Sequence, residues 1–133
     1  ANTFEFPELY LNYNGIWVAD GPFINNYIKA IMIHQFQGVG VQIGASSNAN
    51  GQIHSNEWHL VLNTRDHFPW ADKTIRGVDT FGSGDIFSIL GGHNLDITVR
   101  LHPDTLRNKF ILGSNEEPII DNQATDPDSN KII

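Results

Sequence analysis

Apolar and polar positions in this chain alternate over short runs, and only one stretch also fits helical spacing. Leu95-Asp96-Ile97-Thr98-Val99-Arg100-Leu101 alternates strictly. It predicts a strand that packs Leu95, Ile97, Val99 and Leu101 on a core and wets the residues between them. Residues 59–65 alternate as well, turning Leu60 and Leu62 inward and His59, Val61, Asn63 and Arg65 to the opposite face. Residues 87–90 and 109–112 read as further strands, with Gly91-Gly92-His93-Asn94 as a hairpin joining two of them. In residues 23–36, Ile24, Tyr27, Ile28 and Ile31 suit a helix, while Tyr27, Lys29, Ile31 and Ile33 suit a strand. The β-branched content decides for a strand from Tyr27 to His34.

Glycine and proline separate these runs at short intervals, a rhythm that suits a sandwich or barrel of short antiparallel strands. No unit of about 20–50 residues repeats visibly. The expected fold class is therefore all-β, a single domain over residues 1–120. Residues 121–133 read as an acidic C-terminal tail, since five of the 15 acidic residues lie after Gly113.

With 133 residues the chain is long enough for one core without a metal or disulfide. The excess of 15 acidic over 8 basic residues argues against duplex nucleic acid and against an anionic membrane surface. No apolar run approaches the length that spans a bilayer, so no membrane insertion is expected, and Ala1 opens no signal segment. Cysteine is absent, which removes disulfides, thiol catalysis and thiolate metal sites.

Catalytic motifs are missing: there is no Gly-x-Ser-x-Gly, no phosphate-binding Gly-x-x-x-x-Gly-Lys-Ser/Thr and no His-Glu-x-x-His. Gly38-x-Gly40-x-x-x-Gly44 departs from a dinucleotide loop by one residue and reads as a close-packed strand. Asp126-Pro-Asp128-Ser-Asn130 copies half a calcium loop but lacks its closing glutamate. No enzyme, no cofactor and no metal is expected.

The informative segment runs from Ile43 to Phe87. Asn63 and Arg65 leave a strand ahead of Trp70, a set that suits sugar reading: polar side chains hydrogen-bond hydroxyls while an indole stacks on the C–H face of a hexose. The same residues serve equally as a turn asparagine and a core aromatic under a loop. The order Val61-x-Asn63, Trp70 seven residues on, then Phe81-x-x-Gly84-x-x-Phe87 resembles the galectins, β-sandwich lectins for β-galactosides.

That resemblance implies a galectin-like jelly-roll (concanavalin-like) antiparallel β-sandwich. Its binding face would comprise Ser46, Asn48, Asn50, Val61, Asn63, Arg65, Trp70, Asp72, Lys73 and Arg76. On this alignment Ser46 replaces the galectin His, Asn50 the Arg, Lys73 the Glu and Ile75 a second Arg, with Asp72 and Arg76 each one residue displaced. Each lost charge-assisted contact costs about 1–3 kcal/mol, so the galactoside site reads as degenerate. The expectation is a non-catalytic module that binds a partner protein, similar to the galectin-like terminal domains of apicomplexan microneme adhesins, in a secreted or secretory-organelle setting. The alternative is a lectin with a rearranged site around Asn63 and Trp70.

Overall fold

The computed structural model describes residues 2–64, 67–114 and 117–133. Its strands are β1 (Thr3–Phe6), β2 (Leu9–Tyr10), β3 (Asn14–Val18), β4 (Phe23–Ile24), β5 (Tyr27–His34), β6 (Val39–Ile43), β7 (Ile53–His54), β8 (Glu57–Asn63), β9 (Arg76–Thr80), β10 (Ile86–His93), β11 (Ile97–Leu101), β12 (Lys109–Ser114), β13 (Ile120–Asn122) and β14 (Lys131–Ile132). Every pairing among them is parallel. The chain winds as a β-solenoid of about five turns. Sheet A stacks β1-β5-β8-β10-β12-β14, with β2 also on β5; sheet B stacks β3-β6-β9-β11-β13; sheet C pairs β4 with β7.

This overturns the antiparallel jelly-roll sandwich expected for residues 1–120, and with it the galectin resemblance and the adhesin relationship that rested on it. The physical reason lies in what alternation encodes. A period of two tells which face of a strand is wet, and a solenoid wall is wet on its outer face just as a sandwich sheet is. Residues 91–93 belong to β10, which is followed by a corner into sheet B rather than by a hairpin.

One corner sets the register. Asn26, Asn56, Asp85, Asn108 and Asn130 stand one residue before β5, β8, β10, β12 and β14, all buried. Their side chains form a ladder along the solenoid. Asn56 Oδ1 accepts from the Asn26 backbone N at 2.9 Å and from Asn26 Nδ2 at 3.1 Å. Asp85 Oδ1 accepts from Asn56 N at 2.8 Å, Asn108 Oδ1 from Asp85 N at 3.0 Å, and Asn130 Oδ1 from Asn108 N at 3.1 Å. The residues just before the first four ladder positions, Asn25, Ser55, Gly84 and Arg107, all have positive φ. That left-handed step makes the sharp turn into sheet A.

Two residues after each of the first four ladder positions comes a large apolar side chain pointing inward. Ile28, Trp58, Phe87 and Phe110 form one interior column, all at most 1% exposed. Trp58 stacks on Phe87 at 5.9 Å between ring centroids and Phe87 on Phe110 at 4.6 Å. Ala30, Leu60 and Ile89 form the next column, and Val41, Val78 and Val99 line sheet B from within. The unit is therefore Asn/Asp-x-large apolar, recurring after 30, 29, 23 and 22 residues. Its period is uneven because the connections from β6 to β7 and from β8 to β9 are longer than the others. Residues 121–133, read from sequence as a tail, supply the end of β13, the last ladder asparagine and β14.

A second column is made of glycine. A Cβ on Gly40 would lie 2.8 Å from the Gly77 carbonyl oxygen, and one on Gly77 would lie 2.6 Å from that of Thr98. Backbone closes on backbone here, which explains the glycine-rich run around Gly40. Gly40→Ala is expected to lower stability by about 1–3 kcal/mol, read as a shifted urea midpoint. An unchanged midpoint would show that the column tolerates a methyl group.

Candidate functional site

The sequence-predicted residues do not converge. Ser46, Asn48 and Asn50 lie in the corner that follows β6, where they build local structure. Ser46 Oγ donates to Asp20 Oδ2 at 2.6 Å and accepts from Asn48 N at 3.2 Å, and Asn50 Oδ1 accepts from Ser83 Oγ at 3.3 Å. The Ser46 hydroxyl, followed by the backbone N–H groups of Ala45 and Ser46, holds the Asp20 carboxyl below the usual range against the effect of burial.

Val61 sits on the outer face of sheet A opposite Leu90, and Asn63 ends β8 with its amide 3.8 Å from Met32 Sδ. Trp70 is half-exposed and stacks on Phe68 at 5.5 Å. It belongs to the corner that precedes β9, while Ser46 lies beyond the far end of β6. The two corners are separated by the width of sheet B, about 17 Å for five residues. Lys73 is exposed in the same corner as Trp70, and Arg65 lies outside the described residues.

Asp72 and Arg76 do meet, at 3.4 Å, and Tyr13 donates to the same Asp72 Oδ2 at 3.2 Å. They are the rim of a site that sequence reasoning missed, on the outer face of sheet B. There the strand register aligns Trp17, Gln42, Asp79, Arg100 and Asp121 in one row, a turn apart. Asp79 is its hub. Arg76 Nη1 donates to Asp79 Oδ2 at 2.6 Å, and Gln42 Nε2 to Oδ1 at 3.3 Å. His102 Nε2 lies 2.5 Å from the same Oδ1. An ionised carboxylate only accepts, so the imidazole donates its Nε2–H.

Burial raises the Asp79 pKa, but the His102 hydrogen bond and charge, Arg76 and Gln42 outweigh it, and the carboxyl is held below its ordinary value. His102 is itself fixed by stacking on Phe81 at 3.6 Å between centroids. Trp17 stands at the edge of this cluster with its indole 64% exposed, and together they line a shallow depression of about 340 Å³. Trp17 had a sequence signal: it lies between Ile16 and Val18, which turn inward, so the period of two sends it out. Asp79 and His102 had none, because they meet only through adjacent turns of the solenoid.

The arrangement offers planar hydrogen-bonding edges held rigidly beside an open aromatic face. Its carboxylates are ion-paired. Asp72 and Asp79 are paired with Arg76, and Asp121 with Arg100 at 2.8 Å. Among the described residues no cluster of His, Asp or Glu is arranged to hold a metal ion. The half calcium loop is a short 3₁₀ turn, Pro127–Ser129, followed by the buried ladder residue Asn130. No described helix is long and apolar enough to cross a membrane. In comparison with known proteins, no family model matches the chain, and no curated protein or solved structure matches it either.

Proposed function

We propose that this chain is a non-catalytic glycan-binding module whose site is the outer face of sheet B. The observation that carries the reading is the exposed Trp17 indole at the head of an in-register row of Gln42, Asp79 and Arg100. An indole face takes the apolar C–H face of a sugar ring, while amide, guanidinium and imidazole edges bond its hydroxyls. Successive turns are about 4.8 Å apart, close to the length of one pyranose unit, so neighbouring turns address neighbouring sugars. The ion pairing favours a reading of binding rather than hydrolysis: a glycosidase needs one carboxyl that keeps its proton, and the Asp79 pKa is held below its ordinary value. The setting that goes with this reading is a secreted or secretory-organelle one. The protein-binding expectation keeps a separate physical basis, the exposed apolar face of sheet A.

A glycan array followed by calorimetry on the best ligand tests the reading. Trp17→Ala is expected to weaken binding about tenfold or more, whereas Trp70→Ala, on its own Phe68 stack, leaves affinity unchanged. A silent array removes the proposal, and so does loss of binding in the Trp70 variant with full retention in the Trp17 variant.

A further inference from the structure

The geometry points to a second copy of this chain as the occupant of the outer face of sheet A, packed face to face and antiparallel. The face carries Ile31, Ile86, Leu90 and Ile111, between 45% and 57% exposed, on a rigid parallel sheet. Such a patch on a solenoid wall marks an interaction surface. The charges around it select the partner. One outward row reads, turn by turn, Tyr27, Glu57, Ile86, Lys109, Lys131. The row is acidic on one side of Ile86 and basic on the other.

A two-fold axis running along the strands at β10 keeps each row opposite itself and reverses its order. Ile86 then meets Ile86 of the second copy, Glu57 meets Lys109, and Tyr27 meets Lys131, whose ammonium approaches an aromatic face. Each pair forms twice, as an isologous interface requires. Glu57 Oε1 is engaged by His59 Nε2 at 2.8 Å, which leaves Oε2 for the lysine. In the neighbouring row His59, Ser88 and Ile111 follow in register, and the reversal sets His59 against Ile111 with no clash of like charges.

The face measures roughly 25 by 20 Å from strand spacing and length. That is somewhat below the ~800 Å² per partner of a standard interface, so reversible pairing in the micromolar range is expected. Pairing through sheet A leaves sheet B of both copies uncovered.

Sedimentation velocity of the chain over a concentration series tests this, with circular dichroism confirming that each variant folds. The wild type is expected to pass reversibly from monomer to dimer, less readily at high salt. Glu57→Lys and Lys109→Glu each raise the dissociation constant about tenfold. The double charge swap restores it, because symmetry rebuilds both pairs with reversed sign. A monomer at every concentration overturns the proposal and leaves the face to a different protein. A dimer indifferent to the single reversals, or a double swap that fails to recover pairing, overturns it as well.

Discussion

Asn56→Ala is expected to lose about 3–5 kcal/mol of stability, a large fraction of what holds a domain of this size together. Asn56 is the second rung of the side-chain ladder, bonded to rungs on both sides, and makes four bonds through its amide. Its oxygen accepts from Asn26 N and Asn26 Nδ2, and its nitrogen donates to the Phe23 carbonyl at 2.9 Å and to Asp85 Oδ1 at 3.2 Å. Alanine leaves these partners behind in a place that water does not reach, since Asn26, Asn56 and Asp85 are all at least 94% buried. Unsatisfied buried groups cost more than the net value of the bonds they made. The lost donor to Asp85 is the most expensive, because it leaves a buried charge less compensated. Urea unfolding followed by tryptophan fluorescence reads the effect, with Asn48→Ala, at an exposed side chain, as a control within about 0.5 kcal/mol. A loss below about 1 kcal/mol would mean that the ladder is ornament to the backbone pairing rather than part of what fixes it.

The second large effect is a pH dependence that arises from the same ladder. Where the other rungs have asparagine, one has Asp85. Burial pushes its carboxyl up to about 6, although the Asn56 backbone N–H, the Trp58 indole N–H at 3.3 Å and the Asn56 amide all favour the charged form. Because the folded-state pKa lies above the unfolded value, the proton is held more tightly in the folded chain. The resulting stabilisation is fully present below about pH 4 and is lost as pH rises through about 6. Between pH 7.5 and pH 4.5 the wild type should therefore gain stability, by about 2 kcal/mol.

Asp79 acts with the opposite sign. Its lowered pKa contributes stability that disappears only as pH falls below its ordinary range, so the profile turns over at strongly acid pH. Asp85→Asn cannot titrate and should flatten the rise between pH 7.5 and 4.5. Urea midpoints at those two values decide it. A wild-type profile already flat there, or an equal rise in the variant, would place the burial cost elsewhere.

Much of the strand content was legible in advance. Residues 27–34 form β5 with the predicted bounds, and 97–101 of the predicted alternating strand form β11 with Val99 and Leu101 fully buried. The close-packed reading of Gly40 also agrees with a column in which no Cβ fits. Strand direction was not legible, and the repeat that would have revealed it was hidden. Asn56-Glu57-Trp58, Asp85-Ile86-Phe87 and Asn108-Lys109-Phe110 share only two chemical features, and the longer connections from β6 to β7 and from β8 to β9 make their spacing uneven. The site was legible in one position out of register. Asp72 and Arg76 were singled out for a sugar face, and they border the sheet-B cluster, but of their partners only Asp79 shares their turn, while His102 and Gln42 come from neighbouring ones.

By itself, then, the sequence determined that short runs of this chain are strands, which face of most of them is dry (Thr98 is buried where the alternation wets it), and that its core needs no cysteine. Those are local properties, set by the period of two and by side-chain shape. The tertiary structure decided that the strands wind in parallel, that five asparagine and aspartate side chains bond one above another, and that Trp17 stands at the head of a row with Asp79. Such properties depend on register between turns. Register is chosen by contacts across 22 to 30 residues, a distance over which hydrophobic alternation carries no information.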